Sequence, residues 1–363
     1  MTLIERNPQF VSCPISNLVL AGEKSIADIT LGYEGLRRRG VTVIQGEVAG
    51  IEPDRRTVKL SGGETISYDR LVLSPGVDFL YGNVPGLTRE ISESRILHAW
   101  KAGPQTVSLR RQLADMKDGG VVAIAIPKAP YRCPPGPYER ASVIAHYLKT
   151  HKPRSKLLVL DANADIVSKK GLFGKIWADQ YKGIIEYRKE QNITELDPAT
   201  RTLHIELADS VTADVLNLIP PQAAGGIARP FINRGGRWVG VDWLSMETEV
   251  AKHIHVLGDA TFAAPEMPKS GHMANGHAKL AAAAIINLLS DRPVNPAPML
   301  NNTCYSFVDA RNVIHVASVH AYDAKEKTFK TVPGSGGLSP GPSEIEGKYA
   351  FGWAGNIWAD ALV

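Results

Sequence analysis

The 363-residue sequence contains no apolar run approaching the roughly 18–20 residues that cross a bilayer. Its nearest approach, AKLAAAAIINLL at 278–289, is broken by Lys279 and Asn287 and reads as a packed helix. The opening MTLIERNPQF has neither the basic nor the apolar region of an export signal. Strong charge of one sign is also missing: the net charge is only +4, so nothing in the composition points to nucleic acid. Cysteine is scarce. The three thiols, Cys13, Cys133 and Cys304, are an odd count whose plain reading is three buried side chains. Glycine and proline together make about a sixth of the chain, below the level that suggests disorder. What is present is ordinary for a folded protein: 44% apolar and 21% charged residues, over a length that accommodates two or three domains. No residues suggest a metal site.

From the start, TLIE (2–5) reads as a strand closed by Glu5. A mostly helical stretch (26–38) follows, then a strand VTVIQGEV (41–48) ending at Val48. A hairpin TVKLSGGETISYD (57–69) turns at SGG and leads into RLVLSPG (70–76). This order resembles the second half of a Rossmann-type FAD domain, where an acid closing the second strand accepts ribose hydroxyls. Glu5 fits that place. A glycine fingerprint belongs about 20 residues before such an acid, yet only four residues precede Glu5. The expectation is an FAD-type domain lacking its initial βα unit, through a late gene start or a true fragment, that folds poorly or holds FAD weakly by itself.

The second unit runs from a helix (105–117) through the strand VVAIAI (121–126), the loop APYRCPPGPYERAS (129–142) and its helix, to KLLVLDA (156–162) with Asp161 near its end. Strand, helix and parallel strand make a βαβ unit of dinucleotide-domain type. The loop has almost none of the glycine such a site needs. Pro127, Pro130, Pro134, Pro135 and Pro137 remove five backbone N–H donors from the place where pyrophosphate would be gripped, and Gly136 is one glycine where three are wanted. The expectation is a nicotinamide-type domain without its nucleotide loop.

The third stretch, HIHVLGDATFAAPEMPKSGHMANGHAKLAAAAIINLL (253–289), is a strand ending in Gly258-Asp259 followed by a long small-residue helix. In flavoproteins such an acid reaches the ribityl chain, and the helix N-terminus stabilises negative charge on the pyrimidine end of the ring. From Asn301 the chain turns β-like, and the tail is KYAFGWAGNIWADALV. The fold class expected is α/β, with two Rossmann-like domains of the FAD/NAD(P)-binding type, the first lacking its initial βα unit, plus a small C-terminal α+β interface domain. The boundaries expected are 1–104 with 245–300, 105–244, and 301–363.

PYRCPPGPYERAS, LNLIPPQ (216–222), MPKSGHMAN (267–275) and NTCYS (302–306), four motifs in order, resemble the flavoprotein subunit of flavocytochrome c–sulfide dehydrogenase. The resemblance runs from residue 2 to the tail. It implies a disulfide-reductase-like flavoprotein that oxidises sulfide, pairs with a c-type cytochrome subunit and works in the periplasm. It also assigns every cysteine. SCPISN (12–17) matches the segment whose cysteine bonds the flavin 8α-methyl carbon, so Cys13 becomes the candidate covalent anchor of FAD. Cys133 and Cys304 match the redox-active disulfide pair. They stand 171 positions apart, so only the tertiary fold brings their Cα atoms within the roughly 4.4–6.8 Å that a disulfide spans. Hydrosulfide attack on one sulfur leaves a persulfide and frees the other as thiolate; the sequence does not say which is attacked.

Other residues of these motifs carry weaker expectations. Glu139 is a candidate acid/base beside the sulfurs, against the plainer reading of an acid in a helix's first turn. Lys269 is a candidate positive charge near the flavin, against a solvated lysine. Trp353 is expected to approach the flavin, against a core aromatic. His272 stands where the family carries an aromatic and reads as a satisfied histidine. With Glu5, Val48, Ser74, Pro75, Gly76, Gly258, Asp259, Ser270 and Asn275, these complete the expected site.

A sulfide:quinone oxidoreductase shares this chemistry, but would want an amphipathic or apolar C-terminal platform; the tail has no basic face, which favours a cytochrome partner. An NAD-linked disulfide reductase is disfavoured by the prolines. A non-catalytic reading, an inactive cytochrome-binding paralogue or fragment, is opposed by retention of all three cysteines. A periplasmic setting suits a stable disulfide and a c-type haem partner.

Overall fold

The runs VVAIAI and KLLVLD are apolar at nearly every position, the pattern of strands covered on both faces. A computed structural model, describing residues 1–363, places them side by side as the parallel strands Val121–Ile126 and Lys156–Asp161. Ile185–Arg188 and Val215–Leu218 add to either side, making a four-stranded parallel sheet. The helix Gly136–His151 connects the first two strands, as the βαβ expectation requires, and buries most of its length. An antiparallel three-stranded sheet, Ile193–Asp197, Thr202–Ile205 and Ala208–Thr212, is inserted before the last parallel strand.

Two parallel pairs form the frame of the first domain: Thr2–Glu5 with Thr42–Gln45, and Leu71–Leu73 with Ile254–Val256. The stretch expected to be helical at 26–38 is not one helix. It is a 3-10 turn Ile26–Ile29, a short strand Thr30–Leu31 and a helix Glu34–Arg38, and a further helix, Ser16–Ala21, precedes them. The reason is local: the Ser25 amide and hydroxyl both donate to Asp28, at 2.7 and 2.9 Å, closing a tight turn, and Thr30–Leu31 then pairs with Phe10–Val11. The strand expected at 41–48 divides near Gly46. Its second part, Val48–Glu52, joins the hairpin Thr57–Leu60 and Thr65–Ser67 as a third strand.

Residues 222–243, expected in the second domain, pack with the first. Gln222–Ala224 pairs with Val77–Phe79, and Phe231, Trp238, Val239 and Trp243 share a buried cluster with Leu73, Val77, Ile254 and Val256. The C-terminal part has two long antiparallel strands, Met299–Phe307 and Val313–Asp323, and ends in the helix Glu344–Leu362. No helix is long and apolar enough to cross a membrane.

Candidate active site

A cavity of about 210 Å³ opens where the starts of helices Gly136–His151 and Gly271–Leu289 meet the strand Met299–Phe307. Cys13, Cys133 and Cys304 all line it. None of the three is bonded to another in this structure. Glu139, Asp259, Lys269, Ser270 and Trp353 line the same space.

Cys133 sits in the left-handed region at φ 56, a conformation costing a non-glycine residue about 1–2 kcal/mol. Two hydrogen bonds hold it there: its N–H donates to the Lys269 carbonyl at 2.7 Å, and its own carbonyl accepts the Gly136 N–H at 2.8 Å. Gly136 leaves the thiol room. A Cβ there would lie 2.8 Å from Cys133 Sγ and 2.9 Å from the Trp100 ring. Cys133 is accessible from the cavity but enclosed by protein, and this desolvation, reinforced by the charges of Cys304 and Glu139, drives its thiol far above the ordinary range. Burial also raises Cys304, but there Lys169, Asn302 and Ser270 oppose it. At Cys13 desolvation is outweighed. The charge of Arg132, an Ala102 amide and the Arg132 Nη2 contact to Sγ at 3.1 Å bring this thiol below its ordinary value.

Glu139 stands one turn into its helix and accepts the Phe307 N–H at 3.2 Å. Burial raises its carboxyl to about 7, against the opposing pull of Phe307, Lys169, Asn17 and Arg140. It is thus a proton-exchanging group at neutral pH, facing the thiols. Arg140 is buried with no carboxylate. It donates to Asn17 and Asn217 side chains and to the carbonyls of His98 and Ala99, and lies 4.7 Å over the Trp100 ring. Lys169, 5% exposed, donates from Nζ to the Cys304 carbonyl and to Ser306 Oγ, both at 2.8 Å.

Across the cavity, Ser270 caps the helix Gly271–Leu289 by accepting the Met273 N–H at 3.0 Å, and its hydroxyl donates to Asn302 at 2.6 Å. Lys269 directs its ammonium to the carbonyls of Asp259 and Thr261 and lies over the Trp238 ring at 3.7 Å. His272 is satisfied: its Nδ1 accepts from the Thr303 N–H at 2.9 Å and from Trp353 Nε1 at 3.3 Å.

Seven of the expected residues lie outside this cavity. Glu5 Oε1 accepts from the backbone N–H and the side-chain amide of Asn7, at 2.8 and 2.7 Å. Val48 begins the antiparallel strand. Ser74, Pro75 and Gly76 join the strands Leu71–Leu73 and Val77–Phe79, with Gly76 accepting the Gly225 N–H. Gly258, at φ 64, supports the Asp259 turn by donating to His277 Nδ1 at 3.2 Å. Asn275 faces Asp360 of the C-terminal helix. Sequence reasoning overlooked Arg132, Arg140, Trp100 and Lys169. Arg132 had a signal, lying inside the PYRCPP motif; Lys169, in SKKGLFG, had none.

Asp259 Oδ1 is buried without a hydrogen-bond partner, as is Trp100 Nε1. Burial raises the Asp259 carboxyl, against Arg132 and Lys269. An unpaired buried acceptor on a cavity wall suits a polyhydroxyl chain, and the capped helix start next to it suits a ring that gains negative charge. The residues present therefore fit the ring and ribityl end of a flavin.

Two family models match. "Sulfide dehydrogenase [flavocytochrome c] flavoprotein chain, central" covers residues 106–220, and "Flavocytochrome c sulphide dehydrogenase, flavin-binding" covers 296–362, together half of the chain. The chain belongs to this flavoprotein family. Among curated relatives, the mitochondrial sulfide:quinone oxidoreductase of Mus musculus is 24% identical over 278 residues, 72% of this chain and 60% of its own length. That of Dictyostelium discoideum is 20% identical over 277 residues, 72% of this chain and 59% of its own. The chain thus spans about 60% of the curated relatives it matches. The solved sulfide:quinone oxidoreductase of Aquifex aeolicus superposes with a TM-score of 0.70 at 18% identity, covering 99% of this chain and 85% of that one. The expected fold class holds, since the chain shares the fold of these solved neighbours, and the matched C-terminal family model is a flavin-binding one.

Proposed function

We propose that this flavoprotein oxidises sulfide through a Cys133–Cys304 disulfide and passes the electrons by way of FAD to a c-type cytochrome subunit in the periplasm. One observation carries the reading: three cysteines from distant parts of the chain, each matching a family role, line one cavity. The chemistry that FAD supplies when bound is acceptance of an electron pair and its release one electron at a time. Asp259 and the start of helix Gly271–Leu289 would hold it, with Trp353 at its side and Cys13 as its candidate covalent attachment point.

The chain's own groups account for the sulfur half. The cations Arg132, Arg140 and Lys169 beside the cavity outnumber the nearby carboxylates Glu139 and Asp259, so the cavity favours an entering anion such as hydrosulfide. Glu139, titrating near neutrality, takes or returns a proton at the sulfurs. The fixed position of Cys133 keeps its sulfur turned to the cavity instead of to bulk water.

The test is anaerobic addition of sulfide to the FAD-loaded chain. Bleaching of the flavin absorbance, abolished in Cys133→Ser and in Cys304→Ser, is the expected result; bleaching that survives in both variants would sink the reading.

A second acceptor deserves the same assay. The matched relatives are sulfide:quinone oxidoreductases, and the C-terminal helix exposes Ile345, Tyr349 and Phe351, at 50%, 56% and 40%. Reduction of a soluble quinone analogue in preference to cytochrome c would assign the electrons to a quinone instead.

A further inference from the structure

We propose that Lys169 is a positioning residue for the sulfur chemistry, its ammonium making Cys304 the sulfur that leaves as thiolate and Cys133 the sulfur that is attacked. The inference rests on the disulfide reading above and assigns its two halves.

Lys169 stands at φ 56 immediately before the helix Lys170–Gln180. Its Nζ is turned inward, bonded only to the Cys304 carbonyl and Ser306 Oγ, and lies 5.8 Å over the Phe173 ring. It makes no ion pair. An unpaired buried ammonium is expensive, and the groups that can compensate it are those facing it: Cys304 on its strand, Glu139 on the helix Gly136–His151, Cys133 in the proline loop and Glu346 on the C-terminal helix. Burial lowers the Lys169 ammonium to about 8, while the carboxylates of Glu139 and Glu346, and any thiolate formed at Cys304 or Cys133, pull it back up. Of these groups a thiolate at Cys304 stabilises the ammonium most, and the Asn302 side chain adds a contact to its Sγ at 3.4 Å.

Cys133 has the opposite surroundings. It is the most exposed of the three cysteines, and its enclosure by protein together with the Glu139 carboxylate disfavours its thiolate. Accessibility suits it to receive the nucleophile; charge suits Cys304 to depart. In thiol–disulfide exchange the sulfur whose thiol has the lower pKa leaves faster.

The step balances without an outside oxidant. Hydrosulfide sulfur bonds to Cys133 Sγ as the Cys133–Cys304 bond breaks, and the bonding pair moves onto Cys304 Sγ. The entering sulfur is oxidised to a persulfide on Cys133 and keeps its proton, while the Cys304 sulfur is reduced to thiolate.

Two measurements on the full chain test this. In the reduced protein, iodoacetamide labelling followed residue by residue by peptide mass should show Cys304 reacting at lower pH than Cys133. Lys169→Met should slow labelling of Cys304 roughly tenfold near neutral pH, a displacement of about one pH unit, whereas Lys169→Arg should preserve it. A wild-type order with Cys133 first overturns the proposal even if Lys169→Met does not fold, and so does a Lys169→Met profile identical to wild type. In the oxidised protein, limiting sulfide should place the extra sulfur on the Cys133 peptide. Extra sulfur on Cys304 overturns the assignment but leaves sulfide oxidation standing; none on either cysteine overturns both.

Discussion

Replacing Glu139 by glutamine separates its burial from its hydrogen bonding. The carboxyl titrates at about 7 in the fold, against an ordinary 4.5. Each tenfold displacement of a proton equilibrium is worth about 1.4 kcal/mol, so ionising Glu139 inside the protein costs roughly 3 kcal/mol more than in the unfolded chain. Between those two pH values the folded protein binds more protons than the unfolded one. The stability this group contributes is therefore complete below its unfolded value and is lost as pH rises through its folded value. Glutamine can still accept the Phe307 N–H but carries no charge. Urea unfolding of wild type and Glu139→Gln at about pH 5 and about pH 8 should give a variant stabilised by about 2–3 kcal/mol at the higher pH and by under about 1 kcal/mol at the lower. A difference between the two proteins that is the same at both pH values would refute the assignment of a near-neutral carboxyl to this site. In sulfide oxidation the same variant should lose the limb of the pH profile centred near neutrality while still binding FAD.

Three more substitutions probe the cavity wall. Gly136→Ala places a methyl group against Cys133 Sγ and the Trp100 ring; it should lower stability by about 1–3 kcal/mol and alter Cys133 labelling, and unchanged values for both would contradict the packing described. Asp259→Asn relieves the burial of a carboxylate, so thermal stability should hold or rise while flavin titration shows affinity weakened roughly tenfold; unchanged affinity would remove Asp259 from the binding set. Arg132→Met should shift labelling of Cys13 to higher pH and leave Cys304 in place, measured by the same peptide mapping.

The parts of this molecule that show in its sequence are those where one residue type has one physical use. The two apolar strand runs fit a doubly covered sheet, and SGG fits a tight hairpin turn. The cysteine roles rest on motif resemblance, since no periodicity relates residues 133 and 304. Other features depend on tertiary contacts. Lys169 is written like a surface lysine, and only the tertiary fold brings its ammonium to the Cys304 carbonyl and Ser306 on a distant strand. Gln222 ends the apolar LNLIPPQ run, and nothing in that run indicates that the next residues cross over to pair with Val77–Phe79. Glu5 closes its strand as expected, but its carboxylate is claimed by Asn7 two residues on, a local turn that composition alone does not reveal.

The proline loop shows how the second domain trades one function's requirements for another's. In a nucleotide site the loop N–H groups and the acid at the end of the second strand must remain available. Here the Cys133 N–H is bound to the Lys269 carbonyl and the Gly136 N–H to Cys133 itself. Asp161, fully buried, accepts the hydroxyls of Tyr138 at 2.7 Å and Tyr187 at 3.0 Å, and the Asn163 side chain at 2.7 Å. A ribose would have to displace all three partners, and each buried group left unpaired would cost about 1–3 kcal/mol. Tyr138 is on the same helix as Gly136 and Glu139, so the acid that a nucleotide would use instead fixes the helix on which the thiol loop is built. The stiffness that removes phosphate binding is the stiffness that keeps a cysteine in a left-handed conformation, aimed into the cavity.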